Sequence, residues 1–211
     1  MGGKVIKPAH NALYERFFNA YFNYILKRNF REIQIEGEFI PDNRSILLVP
    51  NHFSWWDGFF AWKLNTMLLH KKFYLMMLES QLAKHRFFAK LGAFSIAPTS
   101  KGMLESLRFA HEIIKQPNNL LVFYPQGKLY SQHHMALEFQ KGIERIVEQA
   151  DNFRLLMCAN LIDYYAHPKP SLTIYLQDYD RLSDFNPIQF QLTYNLFLKQ
   201  SIHKQDKIHR Q

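Results

Sequence analysis

Short apolar runs, separated by stretches with helical periodicity, are the feature that most limits how this chain can fold. Runs of this length and apolar content are typical of strands covered on both faces of a sheet. An additional segment, REIQIEGEFIP at 31–41, alternates with period two and predicts a strand that turns at Gly37. The apolar runs are SILLVP (45–50), KKFYLMML (71–78), AFSIAP (93–98), NLLVFYP (119–125), FRLLMCANLI (153–162) and SLTIYLQ (171–177).

Helical periodicity fills the intervals between the runs, and Gly92 and Pro117 mark the ends of two of the helices. Strands that alternate with helices predict an α/β fold: a single layered domain with a largely parallel mixed sheet flanked by helices. No internal repeat or linker divides residues 1–211, and residues 204–211 form a basic tail. The predicted helices cover 11–28, 57–69, 80–91, 100–116, 136–150 and 187–203.

The N-terminal helix, within the segment 1–30, is amphipathic and rich in aromatic residues. Its sequence, NALYERFFNAYFNYILKR, places Leu13, Phe17, Tyr21 and Tyr24 at helical spacing and ends in two cations. One interpretation is a helix that lies in a membrane interface with its cations at the level of the lipid phosphates. The other is a helix that packs against its own domain. Both interpretations stay open at this point.

The charge balance is basic, with a net charge of +8 and a pI of about 9.5. Such a surface attracts polyanions, which include nucleic acid, anionic lipid, coenzyme A and an acidic carrier protein. No nucleic-acid-binding module is recognisable, so we expect no nucleic-acid partner. No apolar stretch reaches the roughly 18 residues of a membrane span, and residues 1–16 lack the apolar core of a signal peptide. The one cysteine, Cys158, lies in an apolar run and is predicted to be core.

A polar site is predicted within the stretch NHFSWWDGFF, which directly follows the run at 45–50. His52 and Asp57 would point apart on a regular helix, but they can meet if His52 lies in a loop and the helix begins between them. Ser54 is the candidate helix N-cap. A carboxylate paired with an imidazole fixes its tautomer and stabilises its protonated form, as a general base requires.

A second candidate element is the turn Pro125-Gln126-Gly127 after the strand NLLVFYP. A Pro-x-Gly turn exposes backbone N–H groups, which can face an anionic oxygen. An ordinary strand-to-loop turn is the alternative interpretation.

Together, NHFSWWD, LGAFSIAP and FYPQG resemble, in order and separation, the three motif blocks of the glycerolipid acyltransferase family. These are the lysophospholipid or 1-acylglycerol-3-phosphate acyltransferases. The family's first block, Asn-His-x4-Asp, is matched in full, and FQKGIERI at 139–146 resembles the helix after the third block. The resemblance covers about residues 30–175.

The resemblance implies that a fatty acyl group passes from acyl-CoA or an acyl carrier protein to a lipid hydroxyl or amine. It implies that His52 is the base and that Asp57 orients it. It implies no acyl-enzyme, no cofactor and no metal. We expect substrate contacts from Asn51, Pro125, Gln126, Gly127, Lys128 and Lys101. We expect a cytoplasmic protein bound peripherally to an anionic membrane surface, on the membrane's inner face.

Aromatic residues around the motif are expected to wall a groove for the acyl chain or to face the membrane: Trp55, Trp56, Phe59 and Phe60. His133 and His134 follow the third block and are either acceptor contacts or a solvated pair. Glu79 matches an acid of the family's second block, and a surface charge or helix cap is the alternative.

The departures from the family's blocks concern the acceptor. Pro98 and Leu129 stand where the family has arginines associated with the acceptor phosphate, and Gln126 replaces a glutamate. Lys101 and Lys128 are point charges and do not reproduce the bidentate fork of arginine. The sequence therefore predicts an acceptor other than lysophosphatidate, with a neutral, glycosyl, aromatic or zwitterionic head group. The alternative function is a catalytically impaired lipid-binding protein with the same fold.

Overall fold

The computed structural model describes residues 5–97, 99–180 and 182–208. Its centre is a seven-stranded sheet with strand order β1-β7-β6-β2-β5-β3-β4. All neighbouring strands pair in parallel except β6 and β7, which are antiparallel. The strands are β1 (Glu32–Glu36), β2 (Ser45–Pro50), β3 (Lys72–Leu78), β4 (Ala93–Ile96), β5 (Asn119–Val122), β6 (Phe153–Asp163) and β7 (Ser171–Asp178).

Helices cover both faces of this sheet, which confirms the predicted fold class. Side chains of a strand alternate between the faces, and each face has its own apolar core. Ile46 and Leu48 of β2 lie in the core with α1 and α2, whereas Leu47 and Val49 lie in the core with α4, α5 and α6. The helices are α1 (Ala12–Asn29), α2 (Asp57–Leu64), α3 (Glu79–Lys84), α4 (Ser100–Lys115), α5 (Ile143–Val147) and α6 (Pro187–Asp206).

The helix predicted over 80–91 is divided in two. α3 ends at Lys84, and a 3₁₀ segment, Arg86–Leu91, follows after His85. Gly92 stops this segment as predicted, in a left-handed conformation with φ of 98°. A Cβ atom there would lie 2.0 Å from the carbonyl oxygen of Phe73, so only glycine fits.

The helix predicted over 136–150 is wrong for most of its length, because α5 covers only Ile143–Val147. The N–H groups of Leu137 and Phe139 donate to the side chains of Asn195 and Gln191 on α6, and that of Gln140 donates to Pro125. These tertiary partners replace the bonds of a helical ladder. α6 itself continues to Asp206, into the segment predicted as a basic tail.

The N-terminal helix is confirmed, and its buried face packs on α2 and on the 3₁₀ segment. Phe22 and Leu26 are buried, and Phe18 stacks on Phe87 with ring centroids 4.9 Å apart. Asn19 accepts a hydrogen bond from the indole of Trp62. This face of α1 therefore packs against its own domain, as one of the two interpretations predicted, while the opposite face is exposed. No helix in the described ranges is long and apolar enough to cross a membrane.

Candidate active site

His52 and Asp57 meet at the carboxyl end of β2, near the middle of the sheet. His52 lies in the loop that follows β2, and Asp57 is the first residue of α2. Nδ1 of His52 is 2.7 Å from Oδ2 of Asp57. Because an ionised carboxylate only accepts hydrogen bonds, this contact assigns the proton of the neutral imidazole to Nδ1 and leaves the lone pair on Nε2.

The Asp57 carboxylate also organises the loop. The same Oδ2 atom accepts hydrogen bonds from the N–H groups of Phe53 and Ser54, at 2.8 and 2.9 Å. Oδ1 is buried and has no hydrogen-bond partner among the described residues. Burial raises the pKa of Asp57, and the hydrogen bond from His52 and the backbone donors oppose that rise.

The predicted N-cap at Ser54 is wrong, because α2 begins three residues later, at Asp57, with Trp56 as its cap residue. The Ser54 hydroxyl instead accepts a hydrogen bond from the N–H of Trp56 at 3.1 Å, within the turn that leads into the helix. The turn still leaves His52 in the loop and Asp57 at the first position of the helix, so that the two side chains can meet.

Tyr124, which the sequence analysis did not single out, stacks on the His52 imidazole. The ring centroids are 4.3 Å apart and the planes are inclined by 29°. The Tyr124 hydroxyl is buried without a partner among the described residues, and burial raises its pKa well above the usual value. Its place directly before the Pro-x-Gly turn is the only sequence signal that could have indicated it.

Gln126, which the sequence predicted as a substrate contact, uses both polar atoms of its side-chain amide within the protein. Its side chain is 1% exposed. Oε1 accepts a hydrogen bond from the N–H of His52 at 2.6 Å, and Nε2 donates to the carbonyl oxygen of His52 at 3.2 Å. The residue therefore holds the backbone of His52.

Asn51 is likewise committed to the protein. Its amide donates to the carbonyl oxygen of Asn160 at 2.9 Å and accepts from the N–H of Asn160 at 2.7 Å. Asn51 lines the cavity and also ties the His52 loop to β6. No sequence signal links Asn160 to the motif, since 109 residues separate the two.

In the Pro125-Gln126-Gly127 turn, one of the N–H groups that the sequence predicted to be exposed is bound within the turn itself. The N–H of Gly127 donates to the carbonyl oxygen of Tyr124 at 3.3 Å. Pro125 is buried, and its carbonyl oxygen accepts from Gln140. The turn therefore closes on itself and on the following segment.

The two predicted cations are exposed and form no ion pair with the described residues. Lys101 lies in the first turn of α4. Lys128 places its Nζ 5.2 Å from the ring centroid of Tyr130. Leu129 lies between Lys128 and Tyr130 in the sequence and is 57% exposed. Pro98 lies outside the described residues, whereas its neighbour Ala97 is buried.

A small polar cavity lies beside His52. Its walls are neutral apart from two histidines, and no lysine or arginine of the described residues lines it. His134 belongs to these walls, whereas His133 is exposed and outside them. The lining residues are Asn51, His52, Phe53, Gln126, Tyr130, Ser131, Gln132, His134, Leu137 and Leu198.

The predicted aromatic wall of an acyl groove is wrong for two of its four members. Phe59 and Phe60 are buried in the core shared by α1, α2 and the sheet. Trp56 is partly buried against the same core. Trp55 alone is strongly exposed, at 71%. Burial increases from Trp55 to Phe60 because α2 begins between Trp56 and Phe59 and turns its apolar face inward.

The remaining candidates have structural positions. Cys158 is buried in β6, as predicted, and burial raises the pKa of its thiol. Glu79 is the first residue of α3 and is partly exposed. Within the described ranges, no three His, Cys, Asp or Glu side chains come together as a metal-binding group.

The chain is similar to known proteins in its fold and in its sequence family. The fold is similar to that in the crystal structure of the 1-acyl-sn-glycerophosphate (LPA) acyltransferase PlsC from Thermotoga maritima, with a TM-score of 0.64 and 15% identity. The similarity covers 94% of this chain and 80% of that one. No curated protein sequence matches significantly. The sequence family described as Acyltransferase matches residues 32–168, which include His52, Asp57 and Gln126. This chain therefore belongs to the acyltransferase family.

Proposed function

We propose that this protein transfers a fatty acyl group from a thioester to a hydroxyl or amine of a lipid acceptor, with His52 as the general base. The donor is acyl-CoA or an acyl carrier protein. The observation that carries the proposal is the bond between Nδ1 of His52 and the buried Asp57 carboxylate, which leaves Nε2 with no hydrogen bond to the described residues. An imidazole held in this way accepts a proton on Nε2.

The reaction follows from these roles. Nε2 of His52 takes the proton of the acceptor hydroxyl as its oxygen attacks the thioester carbonyl carbon. The tetrahedral intermediate collapses, the C–S bond breaks, and the imidazolium returns the proton to the departing thiolate. Asp57 stabilises the imidazolium between these steps and is not itself protonated. Atoms and charge balance without an acyl-enzyme.

The test compares His52→Ala with His133→Ala, which removes an exposed histidine outside the cavity. General-base removal costs roughly 10²–10⁴-fold in rate. We therefore expect His52→Ala to fold normally and to lose nearly all transfer from a long-chain acyl-CoA to a mixed lipid extract, and His133→Ala to retain it. If His52→Ala keeps more than about a tenth of the wild-type rate, the base is another group. If the wild type neither transfers nor hydrolyses the thioester, the lipid-binding alternative is favoured.

The proposed acceptor lacks a phosphate monoester. Such a group carries nearly two negative charges at neutral pH and requires charge-assisted donors. The cavity beside His52 offers amides, hydroxyls and imidazoles, and the position of one family arginine holds the exposed Leu129. Lys128 lies two residues before Tyr130 of the cavity wall, and its ammonium group faces the Tyr130 ring. These neutral walls support a neutral or zwitterionic head group.

The proposed place of action is an anionic membrane surface. The outer stripe, which we define as Leu13, Phe17, Tyr21 and Tyr24 of α1, is exposed along the helix, with Leu13 at 76% and Phe17 at 64%. Arg28 continues this stripe. An exposed apolar stripe next to cations is the pattern of a helix that inserts at the level of the lipid head groups.

Trp55 supports the same surface. It is exposed and its ring centroid lies 4.7 Å from that of Phe59, which in turn contacts Phe22 on the inner face of α1. Exposed aromatic rings therefore occur both on α1 and in the loop between His52 and α2. We propose that the membrane contact is on the cytoplasmic side.

A further inference from the structure

The Gln126 side chain pairs with both backbone polar groups of a single residue, His52. The N–H of His52 donates to Oε1, and its carbonyl oxygen accepts from Nε2. The same carbonyl oxygen also accepts from the N–H of Tyr130 at 2.9 Å. Both the N–H and the carbonyl group of His52 are thus bound by Gln126, a residue 74 positions later in the sequence.

This double contact requires one acceptor and one donor on the same planar group. A primary amide has both, whereas an ionised carboxylate has only acceptors. Glutamate at this position would set a carboxylate oxygen against the carbonyl oxygen of His52, in a place removed from water. In this geometry only a protonated carboxyl group could replace the amide, so the glutamate of the family's third block requires another arrangement of the loop. Burial without a donor is costly for the ionised form.

We propose that Gln126 is a positioning residue for His52, and that its neutral amide keeps the hold on His52 independent of pH. The expected effect on kcat rests on the proposed function. The hydrogen bonds between Gln126 and His52 do not depend on it, because they exist whether or not the protein is an enzyme.

The titratable and cationic groups around the pair are few. His52 and Asp57 come from the loop and α2, Tyr124, Lys128 and Tyr130 come from the segment of Gln126 itself, and His134 comes from the loop beyond it. Among the residues that the structure describes, Asp57 is the one carboxylate that bonds to the His52 loop. A glutamate at 126 would add a second.

The decisive variant is therefore Gln126→Glu, compared with Gln81→Glu, which makes the same change at an exposed position of α3. We expect Gln126→Glu to approach the wild-type kcat only at low pH, where the new carboxyl group is protonated. Above its pKa, kcat should fall by about tenfold per pH unit relative to the wild type. Gln81→Glu should follow the wild-type profile. A Gln126→Glu profile parallel to that of the wild type would overturn the inference.

A second measurement does not require activity. The free energy of unfolding of Gln126→Glu, relative to the wild type, should fall as pH rises, because the folded state disfavours the ionised form. Gln126→Met, which has similar size and neither polar atom, should shift the ¹⁵N NMR signals of the His52 ring, whereas Gln81→Met should not. These readouts separate the two proposals: an inactive wild type with these shifts refutes only the function. Unchanged ring signals together with pH-independent relative stability refute the role of Gln126.

Discussion

The imidazole of His52 lies against the ring of Tyr124, with centroids 4.3 Å apart and planes inclined by 29°. The ring of His52 is thus held on its face by an aromatic side chain and at its Nδ1 edge by Asp57. Its backbone is held by Gln126. An imidazole with these contacts is limited in rotation about both side-chain torsions, which is the preorganisation that a general base requires.

Tyr124 should act through its ring and not through its hydroxyl. Tyr124→Phe keeps the stacked ring and removes a buried hydroxyl that has no partner among the described residues. We expect it to retain activity within about threefold and to raise the free energy of unfolding by about 1 kcal/mol, because burying an unpaired polar group costs about 1–3 kcal/mol. Tyr124→Leu should lower kcat on the order of tenfold or more. Equal losses in both variants would assign a role to the hydroxyl.

Asp57 should support activity at a cost in stability. Burial raises its pKa above the ordinary 3.8, so the unfolded chain releases this proton at a lower pH than the folded chain does. The wild type should therefore lose stability relative to Asp57→Asn as pH rises from about 4 through the folded pKa. Above that interval, the asparagine variant should be at least as stable, while its kcat falls by up to about 10⁴-fold. Urea unfolding between pH 3.5 and 7 checks the sign.

The outer stripe of α1 should bind anionic vesicles. Leu13→Ser/Phe17→Ser/Tyr24→Ser should weaken binding to phosphatidylserine-containing vesicles at least tenfold without lowering the melting temperature, since all three side chains are exposed. Binding should also weaken with added salt, because charge interactions are screened beyond about 8 Å at physiological ionic strength.

The matched control replaces three exposed apolar residues of α6, Ile188, Leu192 and Leu196, by serine. If the α6 variant loses vesicle binding and the α1 variant keeps it, the membrane contact lies on α6 and not on α1. Phe18 and Phe22 are unsuitable for such a test, because the structure packs both against the body of the protein.

Lysophosphatidate should be a poor acceptor, and an arginine at position 129 should improve it. Charge-assisted hydrogen bonds are worth roughly 1.5–3 kcal/mol each, which corresponds to about 10–100-fold in kcat/KM. We expect Leu129→Arg to raise kcat/KM for lysophosphatidate but not for a neutral acceptor of equal chain length. Met135→Arg adds the same charge at another exposed apolar position and is the control. If the wild type prefers lysophosphatidate, Lys101, Lys128 or another cation replaces the missing arginines.

The sequence alone determined the layered α/β class, the bounds of most strands and the meeting of His52 with Asp57. These features depend on local periodicity and on a five-residue spacing across one turn, which a sequence records directly. It also indicated that α1 is an amphipathic helix, but the structure alone separated the buried Phe22 and Leu26 from the exposed Phe17 and Tyr24.

Only the tertiary structure decided what the individual polar side chains bind. Gln126 reaches His52 because β2 and β5 are neighbours in the sheet, and Asn51 reaches Asn160 because β6 lies on the other side of β2. Similarly, the segment before α5 gives up helical bonds for the side chains of α6. Each of these partners is more than 50 residues distant. A hydrogen bond depends on proximity and orientation in space, and strand order, which creates that proximity, leaves no periodic trace in the sequence.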